Sequence, residues 1–461
     1  MKKFYPLTAS QLIHYRWIRQ YHTQQVAGVS VVASLQIPLN FDLLKKCIKM
    51  EIQRSECLRV RFTKPDSEGN IQQYIVLEDN RDIPFEDMSN MTMAEADDIL
   101  QHRAYETLDG DDRPMFEVKM LKLPEGFNGF FFHVDHRLLD SAGMIVMIND
   151  LMELYCHYSF GSALPETPAS YLEALQKDLE KVNNPKRFEK DKDFWNGILD
   201  KYGEPLYSDI QGIDVLKDSR QKHKDHKLRA ADIELDNLHV EVKDYFLDPA
   251  ATKNLMDFCM NQKITMTNLL LLGLRTYLSK VNGGQEDISI ENFVSRRSTR
   301  LQWTSGSSRT MMFPCRTVIS PDTEFLDAAY MVQDMQNQVY LHNNYDPELI
   351  REEMQRRWPI PENMTYESVY LTYQPMPVHV QNEHISKIPQ HSVWYANGAA
   401  TKKLYLTVSH TDDNGMKFSF HYQSAHLDEN DMEVTYYYLM RILFKGIAEP
   451  EMTIGEIMNE V

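Results

Sequence analysis

An apolar run that turns directly into an amphipathic one does most to limit what this chain can fold into. GFFFHV covers 129–134, DHRLLD follows, and SAGMIVMINDLMELYCHY covers 141–158. GFFFHV is apolar enough to be an interior strand. The later stretch puts Ile145, Ile148, Met152 and Tyr155 on one stripe, which is helical spacing. That methionine-rich stripe reads as core packing and not as a cofactor site. Asp140 or Ser141 stands where a helix N-cap belongs. Alternate strand residues face opposite sides, so His136 shares a face with Val134 and Phe132, while His133 and Asp135 share the other.

The same mixture of periods recurs along the chain. FDLLKKCIKMEIQR carries Leu43, Leu44, Cys47, Ile48 and Ile52 at helical spacing, and FEVKMLKL reads as a strand. Further on, ATKNLMDFCMNQKITMTNLLLLGLRTYLSKV holds two helices, ISIENFV a strand, and DAAYMVQDMQNQVYLHNN another helix. ESVYLTYQ, KLYLTVSH and MKFSFHYQ read as strands, with DNG at 413–415 as a hairpin turn between the last two. The fold class is α/β with mixed sheets. At 461 residues the chain is too long for one typical core. The most linker-like stretch, about 176–235, is dense in charge. Its first part reads as a solvated helix and its second as a loop. The predicted division is therefore a lobe over 1–180 and a second over 181–461. No tandem repeat or low-complexity tract shows.

Composition excludes several classes. Apolar residues at 43% and aromatics at 11% call for a packed globular protein. A formal charge of −18 argues against nucleic acid or an anionic membrane as partner. LLLLGL at 269–274 is far short of a membrane span, and MKKFYPLTASQLIHYRW lacks the apolar core of a signal peptide. Cys47, Cys57, Cys156, Cys259 and Cys315 are scattered and odd in number, which suits free buried thiols in a reducing cytoplasm. His133, Asp135 and His136 would not converge on a metal from one strand, so no metal site is expected. No G-x-S-x-G, phosphate loop or dinucleotide fingerprint is present.

His136 is the residue with chemistry to offer. A strand-to-helix turn holds a side chain rigidly, and an imidazole titrating near neutrality can take a proton from an incoming nucleophile. Taken alone, HxxxD is a weak signal, and the local stretch reads first as a hydrogen-bonded structural histidine and an N-capping aspartate.

Several stretches, in order, resemble the condensation domains of nonribosomal peptide synthetases, within the chloramphenicol acetyltransferase-like acyltransferases. YPLTASQLIHY at 5–15 is similar to the family's S-x-A-Q motif, and RSECLRVRF at 54–62 to R-H-E-x-L-R-x-x-F. DHRLLDS at 135–141 stands where H-H-x-x-x-D-G belongs. The helix 264–281 followed by ISIENFVSRR resembles a helix–strand–Arg unit. SSRTMMFPCRTVI at 307–319 resembles G-x-F-V-N-x-x-x-x-R, and HNNYDPE at 342–348 resembles H-x-x-Y-P-F-E.

The resemblance implies two acyltransferase-like lobes in a V-shaped pseudo-dimer, with the His motif in a tunnel between them. It implies that His136 is the catalytic residue, positioning or deprotonating the nucleophile. Asp140 becomes a structural residue paired with Arg297. Asp135, Ser141, Gly143, Tyr15 and Met312 become tunnel-lining residues. His342 is expected to be a structural hydrogen bonder, Arg59 to pair with a carboxylate of its lobe, and Trp394 and Tyr395 to lie on a loop. Two departures stand out: Asp135 replaces the family's first His, and Ser141 replaces its Gly. Met312, Phe313, Pro314 and Cys315 also replace the usual F-V-N-T run.

The implied function is a free-standing condensation-type acyltransferase that uses no bound cofactor. It would join an acyl thioester on phosphopantetheine, borne by a carrier protein in trans, to an amine. KRFEKDKDFW and QKHKDHK are the candidate basic pieces for a carrier protein. Two alternatives are a coenzyme A-dependent transferase acting on an amine or alcohol, and a non-catalytic binding module of the same fold.

Overall fold

The computed structural model describes residues 2–108, 110, 112–361, 363–375 and 382–461. The chain divides into two compact units. One comprises Met1–Asn183, Ser295–Thr310 and Val378–Ala399; the other comprises Asn184–Val294, Met311–Pro377 and Ala400–Val461. The expected single cut at 180 therefore needs amending, because two later segments return to the first unit. The physical reason is long-range pairing. Gln390–Tyr395 adds an antiparallel edge strand along Gly28–Leu35, and Ser295–Thr310 brings Arg297 to Asp140.

The first unit is built on a five-stranded mixed sheet in the order Gln390–Tyr395, Gly28–Leu35, Asn128–Asp135, Phe116–Lys122, Phe85–Asp87. Asn128–Asp135 is the central strand, and every residue in it is buried. Phe130, Phe132 and Val134 enter the main core with helices Phe41–Arg54 and Ser141–Phe160. Phe131 faces the other side, with Val32, Leu121 and Leu100 of helix Met93–Ala104. A strand covered on both faces has no polar side to show, which is why GFFFHV reads as a continuous apolar run.

The second unit carries a six-stranded mixed sheet: Met311–Val318, Asp287–Val294, Val369–Gln374, Leu404–His410, Met416–Gln423, Val240–Leu247. Helices Pro249–Gln262, Met266–Val281, Phe325–Leu341 and Glu429–Ala448 bury their apolar stripes on it. The DNG hairpin forms, with Asn414 in the left-handed region at φ 68°. Pro314 lies on Met311–Val318, an edge strand, where a missing amide costs least.

The charged stretch after residue 176 holds more helix than its composition suggests. Pro185–Tyr202 follows Tyr171–Val182, and Asp214–His223 forms where a loop is expected. Leu216 explains that helix, since it buries against Tyr207 and Ala231. Trp394 and Tyr395, expected on a loop, lie on the strand Gln390–Tyr395. Among the described residues no helix is long and apolar enough to cross a membrane.

Candidate active site

The turn after Asp135 is fixed by its backbone. The amide of His136 donates to the carbonyl of Ala27 at 2.6 Å, and that of Leu138 to the carbonyl of Asp135 at 2.8 Å. Leu138 and Leu139 are anchored in the core. Asp140 then caps the helix Ser141–Phe160 by accepting from the amide of Gly143 at 2.9 Å.

Asp140 does far more than cap. It is 1% exposed. Its Oδ1 accepts from Arg297 Nη2 at 2.7 Å, and its Oδ2 from Arg297 Nη1 at 2.9 Å. Oδ2 also accepts from the amides of Arg309 and Thr310 and from the Thr310 hydroxyl, at 2.9, 3.0 and 2.9 Å. Burial alone would raise this acid. The Arg297 guanidinium, with the amides of Arg309 and Gly143, holds it well below the usual carboxylate range. Arg297 is equally enclosed and donates further to the carbonyl of Ser307 at 3.0 Å. A bidentate pair satisfied this fully offsets its desolvation and fixes geometry. With its oxygens so occupied, Asp140 has little capacity left for a substrate.

Gly143 is needed for close approach. A Cβ there would come 3.1 Å from the Ser307 carbonyl oxygen and 3.0 Å from Leu139 Cδ2. Ser141, one residue after Asp140, is half-buried at the helix start.

His136 is partly buried beside this network. Burial pushes its pKa down from the ordinary histidine value. Asp140, its own carbonyl and Asp135 pull upward, and Arg297 pushes down. The net effect is a neutral imidazole near neutral pH, the state a general base requires. Asp135 is buried and committed to its neighbour, since Arg137 donates to it through Nε at 2.9 Å and Nη2 at 2.8 Å. His133, within the strand, shares a hydrogen bond with Ser30 Oγ at 2.6 Å and meets the Glu106 carbonyl at 3.0 Å.

The structure thus gathers His136, Asp140, Arg297 and Gly143 in one unit, with Asp135 and Ser141 flanking them. Tyr15 lies in the same unit, but its hydroxyl donates to the Gly69 carbonyl at 2.7 Å. Met312 is a buried residue of the second unit. In that unit His342 pairs with Asp191 at 2.8 Å and stacks on Phe194. Arg59 corrects an expectation: it donates to the carbonyls of Val76 and Leu77, not to a carboxylate. The reason is local, because the chain after the strand Gln72–Ile75 presents those two carbonyls to it. All five cysteines are free and buried, and burial pushes the Cys57 thiol up to about 12, out of nucleophile range.

Sequence reasoning missed two features of the site. His14, on helix Ala9–Tyr21, stacks on His136 with ring centroids 4.0 Å apart. Its signal was the buried stripe Ser10, His14, Trp17, Tyr21 at helical spacing. Ser307 to Thr310 closes around Asp140; the stretch 307–319 is marked by resemblance, but nothing in it foretells this contact.

Comparison with known proteins agrees with this architecture. The family described as "Condensation domain" matches residues 1–459. The chain is 21% identical over 425 residues to a plipastatin synthase protein of Bacillus subtilis (strain 168), covering 91% of this chain and 15% of that protein. It is 24% identical over 329 residues to a surfactin synthase protein of the same organism, covering 70% of this chain and 8% of that one. The chain therefore spans only a small part of these relatives. Among solved structures, it is similar to the first condensation domain of the calcium-dependent antibiotic synthetase in complex with a substrate analogue. There the TM-score is 0.79 at 17% identity, over 98% of this chain and 99% of the other. It is also similar to a variant of the starter condensation domain of rhizomide synthetase in complex with C8-CoA. That TM-score is 0.80 at 15% identity, over 98% and 97%.

Proposed function

Since the chain belongs to the condensation-domain family, a family of amide- and ester-forming acyltransferases, we propose that it joins an acyl thioester to an amine with His136 as base. The donor would be a phosphopantetheine thioester on a carrier protein supplied in trans. The acceptor nitrogen attacks the thioester carbonyl carbon, and His136 accepts the proton that nitrogen loses. The tetrahedral intermediate collapses, the C–S bond breaks, and the thiol leaves with a proton returned by His136. In this reading no metal and no resident cofactor takes part, and the pantetheine arm is substrate. The free thiols suit a cytoplasmic setting.

One observation carries the proposal. His136 sits on a turn whose neighbouring carboxylate is saturated by Arg297 and three backbone amides, and burial lowers its pKa. Asp140 and Arg297 would hold the turn. Asp135, Ser141, Gly143, Tyr15 and Met312 would lie along the substrate path. A second reading takes coenzyme A as the donor, and is favoured by the likeness to a domain solved with C8-CoA. Both donors share the pantetheine arm.

The test incubates the chain with acyl-carrier thioesters and with acyl-coenzyme A, each with a panel of amines and alcohols. Product is followed by mass spectrometry and released thiol. His136→Ala is expected to lower turnover by about 10² or more. An unchanged rate in that variant overturns the assignment. Tight binding of a thioester without turnover by the wild type points instead to a binding module.

A further inference from the structure

The Asp140 network fixes the backbone around His136 but leaves its ring plane unexplained. Catalytic imidazoles are commonly oriented through a hydrogen bond at the nitrogen that does not react. Here Nδ1 of His136 has no partner of ordinary hydrogen-bond geometry, and the ring's one backbone contact is with its own carbonyl. Asp140 cannot supply one, because Arg297, Gly143, Arg309 and Thr310 occupy it. Asp135 is held by Arg137. What does lie against the ring is His14, with centroids 4.0 Å apart and planes inclined by 23°. His14 is itself buried, and its Nδ1 also lacks a partner. The edge of Trp17 meets it at 5.2 Å and 86°. Apart from the contact of His136 with its own carbonyl, packing therefore sets both imidazoles.

The backbone beneath His14 is firmly held. Thr8 and Gln11 form a capping box at the start of helix Ala9–Tyr21. Ser10 Oγ donates to the carbonyl of Ser308 at 2.7 Å, tying this helix to the segment that carries Arg297 and Thr310. A side chain on so fixed a helix can act as a rigid wall.

We propose that His14 is a positioning residue for acyl transfer, its ring stacked on His136 to fix the plane of that imidazole and shield one face from water. The inference rests on reading His136 as the base. The stack also limits the pair to one proton, since two imidazolium rings 4.0 Å apart in a desolvated site repel. Burial holds His14 well below the usual histidine range; His136 and Arg137 push it the same way, against Asp140. His136 faces Asp140, Asp135 and Arg297 and is lowered as well, chiefly by burial. The proton taken from the acceptor therefore rests on His136.

The experiment uses the full chain, His14→Phe, His14→Leu and His136→Ala. Steady-state kinetics are combined with an NMR titration of the histidine ring nitrogens. His14→Phe keeps a ring and is expected to hold kcat within about threefold, on the view that the plane is what matters. Its His136 titration should match the wild type. His14→Leu loses the plane, and kcat should fall about tenfold or more with KM nearly constant. Its His136 midpoint should rise towards the ordinary value of about 6.5 as water reaches the ring. If His14→Leu does not fold, His14→Met serves in its place. Wild-type behaviour of the leucine variant in both readouts overturns the proposal. So does a phenylalanine variant as impaired as the leucine one. If His136→Ala retains full turnover, the functional reading fails, and the midpoint shift alone then decides whether the stack governs His136.

Discussion

Two strand–turn–helix stretches, one in each unit, align residue for residue: FFFHVDHRLLDSAGM over 130–144 and FSFHYQSAHLDENDM over 418–432. In both, alternate phenylalanines enter the unit's core: Phe130 and Phe132 in the first, Phe418 and Phe420 in the second. A buried leucine follows, Leu139 or Leu427. An aspartate then caps the next helix. Asp140 accepts from the amide of Gly143, and Asp428 from that of Asp431. The differences that bear on chemistry lie on the turn. Ser424 stands where His136 does, and Ala425 where Arg137 does. Asp428 is solvent-exposed and only caps, whereas Asp140 is buried and paired with Arg297. The scaffold is common to both copies. What distinguishes the first is an imidazole on the turn and the returning segment Ser295–Thr310 that locks it.

Exchanging residues between the copies gives the largest expected effect. His136→Ser, which installs the second copy's residue, should lower amide formation by about 10² or more while the fold persists. Ser424→His should change nothing. Product yield by mass spectrometry and circular dichroism on both variants would check this, and an active His136→Ser would end the comparison. Next in size is the fate of the two aspartates. Asp140→Asn leaves Arg297 buried without its charge partner and should cost about 3–5 kcal/mol. Asp428→Asn keeps a good cap and should cost a few tenths at most. Urea unfolding would read both, and equal losses would show that the locking segment adds little.

How much of this was legible in the sequence differs between the copies and between ranges of interaction. The interior strand, the cap at Asp140 and the stripe of Ile145, Ile148 and Met152 could be read because each is set by residues within a few positions of each other. The Asp140–Arg297 pair came from resemblance, and the structure places the two side chains together. The return of 295–310 and 390–395 to the first unit carries no local pattern, since antiparallel pairing such as Val32 with Val393 is decided by distant partners. The stack of His14 on His136 has the same origin. Asp135 with Arg137 is an i, i+2 pair that only a tight turn brings together. The second copy of the motif escaped notice because its polar turn, QSAH, shares no residue with DHRL at matching positions. The helix over Asp214–His223 was hidden by its charges, and only Leu216 gives it away.

Gly143 sharpens the comparison at smaller scale. Its counterpart, Asp431, carries a full side chain in a capping box. A Cβ at Gly143 would press on the Ser307 carbonyl and on Leu139. Gly143→Ala should therefore cost about 1–3 kcal/mol, as overpacking does. Asp431→Ala should cost about 1 kcal/mol or less, the worth of the lost box contact. A thermal melt in which both substitutions lower the midpoint equally would show that the first turn is no more tightly enclosed than the second.

The smallest effect concerns a residue the two copies keep in common, the histidine at the sixth position of each strand. Burial lowers His133, and it lowers His421 to about 4, with Asp244 opposing and Lys417 assisting. Both bind a proton less readily in the folded protein than in the unfolded chain, where they titrate near 6.5. The unfolded chain then binds more protons below 6.5, so stability rises with pH in that window. The contribution is fully present above pH 6.5 and is lost progressively as the pH falls, levelling off near 4 for His421. Between pH 7 and pH 6 each histidine should account for less than about 1 kcal/mol. Urea midpoints for the wild type, His133→Gln and His421→Gln across pH 4 to 7.5 would measure it. Each substitution should flatten the pH dependence of the unit that contains it. A slope left intact in His421→Gln would show that this histidine already binds its proton in the folded sheet.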